Sequence, residues 1–156
     1  MSFKQWWVVP GPKGGKIELR SVEHQPPEGN QVRVRIKAAG INRGELISRP
    51  LLVSSNPRAK AMPSGVEFAG LIDSLGAEVS GWSKGDRVMA RASACHAEFT
   101  LVDAAALMKV PADLTLEAAA AIPNVYVTAH NAMMTEAALQ ANESILITAG
   151  SSAVGC

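Results

Sequence analysis

The segment Gln31–Ala39 constrains the fold more than any other stretch of this chain. Val32, Val34, Ile36 and Ala38 alternate with Arg33, Arg35 and Lys37. A period of two with one apolar and one cationic face predicts a strand that buries a single side. Residues 6–9, 17–22, 65–75, 87–92 and 97–102 read as further strands. Turn chemistry separates them at Gly14-Gly15, Pro26-Pro27-Glu28-Gly29, Gly76, Gly81 and Gly85-Asp86. Many short strands at this spacing point to a barrel or sandwich that limits its free edges.

Near residue 112 the texture changes, and the chain becomes rich in alanine. Residues 116–122 predict a short helix stopped by Pro123. Asn124 is placed to cap a second helix over residues 125–139, with Val125, Ala129, Ala132, Met133 and Ala137 near one face. Asn142 suits a left-handed turn after it. Ile145-Leu146-Ile147-Thr148-Ala149 then reads as a buried parallel strand. Gly150-Ser151-Ser152-Ala153-Val154-Gly155 follows at once, and a buried strand running into a small-residue turn is how a dinucleotide-binding unit opens.

Charge and composition exclude several functions. With 15 basic and 14 acidic residues the net charge is +1, which leaves no footprint for nucleic acid. No apolar stretch is long enough for a membrane span, and the first residues lack a secretory signal, so a cytoplasmic location is expected. Cys95 and Cys156 make neither a disulfide framework nor a thiolate zinc site. The adjacent Cys95-His96 pair reads as an ordinary surface or edge position.

Four segments, in order, resemble the medium-chain dehydrogenase/reductase family in its zinc-independent, quinone oxidoreductase-like branch. They are Ala38-Ala39-Gly40-Ile41-Asn42-Arg43-Gly44-Glu45, Gly65-Val66-Glu67-Phe68-Ala69-Gly70, the block from Gly76 to Gly85-Asp86-Arg87-Val88, and the helical stretch 118–133 containing Thr128-Ala129. The resemblance implies a mainly β fold with C-terminal helices: a GroES-like barrel over residues 1–123, then a hinge helix and the first strand and turn of an incomplete Rossmann domain over 124–156. It implies an NAD(P)H-dependent oxidoreductase passing hydride to a quinone, activated alkene or carbonyl. NADPH is the implied cofactor, with NAD left open, and the implied assembly is a homodimer.

The resemblance also assigns roles. In the zinc-dependent branch a cysteine stands where this chain has Asn42 and a histidine where it has Val66. No catalytic zinc is therefore expected. By the resemblance Asn42 is the candidate catalytic residue, facing the nicotinamide; the residues alone favour support of a turn after the strand. Thr128 lies near the cofactor in the implied fold, or bonds back to its own helical turn. Glu67, in an apolar setting, is expected to be held by an arginine or by backbone donors. Glu45 matches an acidic family position and is expected at the surface. Gly150, Ser151, Ser152, Ala153, Val154 and Gly155 would bind the pyrophosphate, Ser152 and Ala153 replacing two glycines of the common form. A tyrosine found in several quinone reductases is replaced by Ile47, and the chain's one tyrosine is Tyr126.

A βαβ unit takes roughly 30 residues or more; only 13 remain from Ser144 onward. The ribose-binding position, about 20 residues past the turn, would lie outside this sequence. The chain alone is therefore expected to be inactive. Its last strand should be poorly ordered, pack on the barrel, or pair with another chain. The alternative reading is a non-catalytic GroES-like module that binds a partner or oligomerises.

Overall fold

A computed structural model describes residues 2–11, 15–47 and 60–155. The fold is mainly β. A three-stranded sheet has the order β2-β1-β4, from β1 (Ser2–Val9), β2 (Lys16–Glu23) and β4 (Met62–Pro63). A five-stranded sheet has the order β7-β3-β5-β6-β8, from β3 (Gln31–Ala39), β5 (Glu67–Leu75), β6 (Arg87–Arg91), β7 (Phe99–Asp103) and β8 (Met108–Lys109). Every pairing given for these strands is antiparallel, and a bridge between Gln5 and Ala97 ties one sheet to the other.

The alternation in β3 does what its period predicts. Val32 and Val34 are fully buried, while Arg33 bonds Asp73 on β5 at 2.7 to 2.8 Å. The core gathers Val32, Val34, Phe68, Ile72, Val88 and Cys95 inside the larger sheet. Register shifts between Arg33 and Val34, and between Ile36 and Ala38, bend β3 along its length; bulges of this kind increase twist and help a sheet curl. A second cluster joins Ala69 and Met89 of the sheet to Val110, Ala119 and Ala120. It seats α2 (Leu116–Ala119), whose N-cap Thr115 accepts a hydrogen bond from the Ala118 N–H at 3.2 Å.

The sequence places β2, β3, β6 and β7 close to their observed bounds, starts β1 too late, extends β5 too far back and misses the short β4 and β8. Gly65 has φ +98°, and a Cβ there would stand 2.1 Å from the His96 nitrogen. That residue makes the turn by which the chain enters β5, so the strand starts at Glu67.

The C-terminal expectations need more correction. The α-helix after Pro123 is α3 (Val125–His130), followed by a π-helical stretch Asn131–Glu136. Met134, Tyr126 and Val127 of this region are exposed, so little burial supports a longer α-helix. Asn142 is left-handed at φ +69°, but the helical stretch has already ended. Residues 145–149 form no strand: Ile145, Leu146 and Ile147 are exposed and the chain turns from residue 148. A parallel strand exists only through neighbours that accept and donate along its length, and no described strand lies beside this one.

Candidate functional site

The end of β3, the start of β5, the end of β6 and the residue before α3 converge on one polar cluster. Asn42 is the residue before α1 (Arg43–Ile47). Its main-chain N–H donates to Glu45 Oε2 at 2.9 Å, the reciprocal half of a capping box. Its carboxamide does not cap the helix. Asn42 Nδ2 donates to Glu67 Oε1 at 2.7 Å, and Asn42 Oδ1 accepts from Asn124 Nδ2 at 2.9 Å. The other Glu67 oxygen accepts the main-chain N–H of Asn124 at 2.8 Å. Arg91 Nε donates to Asn124 Oδ1 at 3.2 Å.

Glu67 is only 2% exposed. A carboxylate so placed needs partners, and here they are an asparagine amide and a backbone N–H. The sequence expectation of a structural glutamate is met in kind, but the arginine acts through Asn124 instead of on Glu67. Gly40 allows the arrangement, because a Cβ at that position would stand 2.3 Å from Glu67 Oε1. Glu45 is buried, against the expectation of a surface position, because its carboxylate serves the start of α1. Asn124 gives α3 no side-chain cap, its amide being turned to Asn42 and Arg91.

Thr128 donates from its hydroxyl to the Asn124 carbonyl oxygen at 2.5 Å, one turn back on α3. The local reading of this threonine is therefore realised, and it brings the hydroxyl to a neighbour of Asn42. The small-residue turn at 150–155 is exposed and bonded to itself: Gly155 N–H donates to Ser152 O at 3.0 Å, and Ser152 N–H to Ala149 O at 2.9 Å.

The Cys95-His96 pair departs from the surface expectation. Cys95 is fully buried, and its thiol donates to Ala92 O at 3.1 Å. Burial, with the carboxylates of Glu45 and Glu67 adding to it, pushes the thiol up to about 12 from its usual 9.0. His96 Nε2 faces the Gly40 carbonyl at 3.0 Å and Nδ1 faces Ser64 Oγ at 3.0 Å. A carbonyl can only accept, so Nε2 carries a hydrogen. Ile41, Glu45, Ser64 and His96 also line a cavity of about 860 Å³, whose wall includes the apolar Trp6 and Leu19.

Sequence reasoning named Asn42, Glu67 and Thr128 but missed the parts Asn124 and Arg91 play. The Asn42-Arg43-Gly44-Glu45 spacing carried a capping-box signal. Nothing local in the sequence joins Asn124 to Asn42 across 82 positions.

Residues 28–112 match the alcohol dehydrogenase GroES-like domain. The chain belongs to that family. Within it the chain is a medium-chain dehydrogenase/reductase of the quinone oxidoreductase-like branch, with a mainly β fold. A quinone oxidoreductase of Lama guanicoe is 36% identical over 131 residues, covering 83% of this chain and 39% of the relative. The human quinone oxidoreductase is 34% identical over 142 residues, covering 89% of this chain and 43% of the relative. The crystal structure of human synaptic vesicle membrane protein VAT-1 homolog-like protein superposes with TM-score 0.85 at 30% identity, over 99% of this chain and 50% of that one. The GroES-like chain thus spans half or less of the length of these relatives.

Proposed function

We propose that this chain supplies the barrel side of an NAD(P)H-dependent oxidoreductase of the quinone reductase type, passing hydride to a quinone, activated alkene or carbonyl. The observation that carries this reading is the Asn42 carboxamide, fixed at 2.7 Å by Glu67 and at 2.9 Å by Asn124, with Thr128 one bond further on. A preset hydrogen-bonding group of this kind orients a bound ring without reorganising. The nicotinamide, when bound, supplies the hydride. Asn42 and Thr128 would hold its ring end, and the turn Gly150, Ser151, Ser152, Ala153, Val154 and Gly155 its pyrophosphate. The Ser152 and Gly155 amides now bond within their own turn, so anion binding there requires the turn to open. The apolar wall at Trp6 and Leu19 suits a flat, water-poor substrate. NADPH is favoured over NAD by the quinone-reductase likeness alone.

The donor set does not fit zinc. Zinc is held by thiolate, imidazole and carboxylate groups, which the Asn42 carboxamide is not, and valine at position 66 has no ligand atom. The reaction is accordingly proposed to be zinc-independent, with a small-molecule substrate, no nucleic acid or membrane partner, and a homodimer as the assembled form.

One observation favours a second reading, a non-catalytic binding or oligomerising module: Ile145, Leu146 and Ile147 are exposed instead of sheeted. Titration of the chain with NADPH, followed by nicotinamide fluorescence, separates the two. Saturable binding is expected from the barrel side of an oxidoreductase. Absence of binding favours the module.

A further inference from the structure

The polar cluster has a direction, and its two ends impose it independently. A guanidinium can only donate, so the Asn124 atom facing Arg91 must be Oδ1. Asn124 then presents Nδ2 to Asn42, which must answer with Oδ1. That leaves Asn42 Nδ2 facing Glu67. A carboxylate can only accept, and the 2.7 Å contact is satisfied. Starting from Glu67 and working outward gives the same assignment. Asn42 Nδ2 has one hydrogen on Glu67, and its second is directed to Glu45 Oε2 at 3.5 Å. Among the described residues, Asn42 Oδ1 accepts from Asn124 alone, and a carboxamide oxygen has two lone pairs.

We propose that Glu67 and Arg91, the latter through Asn124, are positioning residues that lock the Asn42 carboxamide in one orientation, so that Asn42 meets its ligand as a hydrogen-bond acceptor. Its spare capacity is an Oδ1 lone pair, which selects a ligand bearing an N–H or O–H donor. The primary carboxamide of a nicotinamide has such a donor. This last step rests on the reading of Asn42 as a cofactor-facing residue; the lock itself does not.

Glu67→Gln is close to isosteric and, combined with Arg91→Ala, which frees the Asn124 end of the cluster, tests the lock. One atom of the introduced side chain must still accept the Asn124 main-chain N–H, so its amide nitrogen faces Asn42. With Arg91 no longer fixing Asn124, the Asn42 and Asn124 carboxamides must then both turn over. In NMR spectra of the labelled 156-residue chain, the Asn42 side-chain amide hydrogens should show nuclear Overhauser contacts to Glu67. In the variant those contacts should move to Asn124. Unchanged Asn42 contacts in the variant overturn the lock, because a glutamate that merely fills space would not set the orientation. Should the variant not fold, the unsubstituted chain decides: the Asn42 amide hydrogens should exchange about tenfold or more slowly than those of exposed Asn131, and equal rates overturn the lock. The acceptor role is read by comparing NADPH with its 3-acetylpyridine analogue, which replaces the carboxamide NH2 by methyl. The analogue should bind about tenfold more weakly, and equal affinity overturns the acceptor assignment. Failure to bind either dinucleotide counts against the functional reading, while the NMR contacts still decide the lock.

Discussion

Glu67 is the residue on which most of the site's order converges, and removing it should show this. Glu67→Ala leaves the Asn42 Nδ2 and the Asn124 N–H without their acceptor. An orphaned buried donor costs about 1–3 kcal/mol, so a loss of about 2–4 kcal/mol is expected, read from the midpoint of urea unfolding. Cys95 makes the opposite kind of statement, since burial keeps it inert. The native thiol should resist alkylation at neutral pH and react promptly once urea unfolds the chain, as followed by mass spectrometry of the Cys95 peptide. Its pH dependence has a definite sign. The folded thiol is pushed up to about 12 from 9.0, so its contribution to stability is complete below pH 9 and declines as pH rises toward 12. Alkaline unfolding midpoints should fall across that interval. At this scale the sequence was legible where chemistry and context agreed. A glutamate among Val66, Phe68 and Ala69 announced that it needed partners. The identity of those partners was not legible, because Asn124 lies 57 positions away and meets Glu67 through its backbone.

Among the elements, strands were read better than helices, for a physical reason. β3 carries its burial in its own alternation, so the valines at 32 and 34 reveal the core face before any partner is known. The C-terminal run 145–149 is apolar without alternation, and whether such a run becomes a strand depends on neighbours outside itself. The helices show the same dependence on local and distant terms. Thr115 caps α2 through its hydroxyl, and Thr115→Ala should cost about 1 kcal/mol in thermal unfolding. Asn124 stands at the equivalent place before α3 and has no such bond. Its side chain is held by Asn42 and Arg91, where tertiary hydrogen bonds override the local preference for capping.

For the whole molecule, a well-packed antiparallel body carries a C-terminal stretch with little buried surface. Leu146 is 89% exposed. Leu146→Asp should therefore change the melting free energy by no more than about 0.5 kcal/mol, measured by calorimetry, and should reduce self-association in sedimentation. A large loss of stability would show that this leucine is buried in solution. The fold as a whole was legible because turn residues and strand periods recur from β1 to β7. The site was only half legible, because it assembles from four separate regions.

The separations within that site also impose an order on synthesis. Asn42 and Glu67 are 25 positions apart, and Asn124 lies 57 beyond Glu67. The last strand of the larger sheet, β8, ends at Lys109. As the chain leaves the ribosome, every strand of that sheet is available before Asn124 emerges. The sheet can close with Glu67 already drawn inward, its second oxygen waiting for an amide not yet translated. Completion of the polar cluster is thus a late event in the birth of the protein, and a pause between codons 109 and 124 would expose that unfinished state.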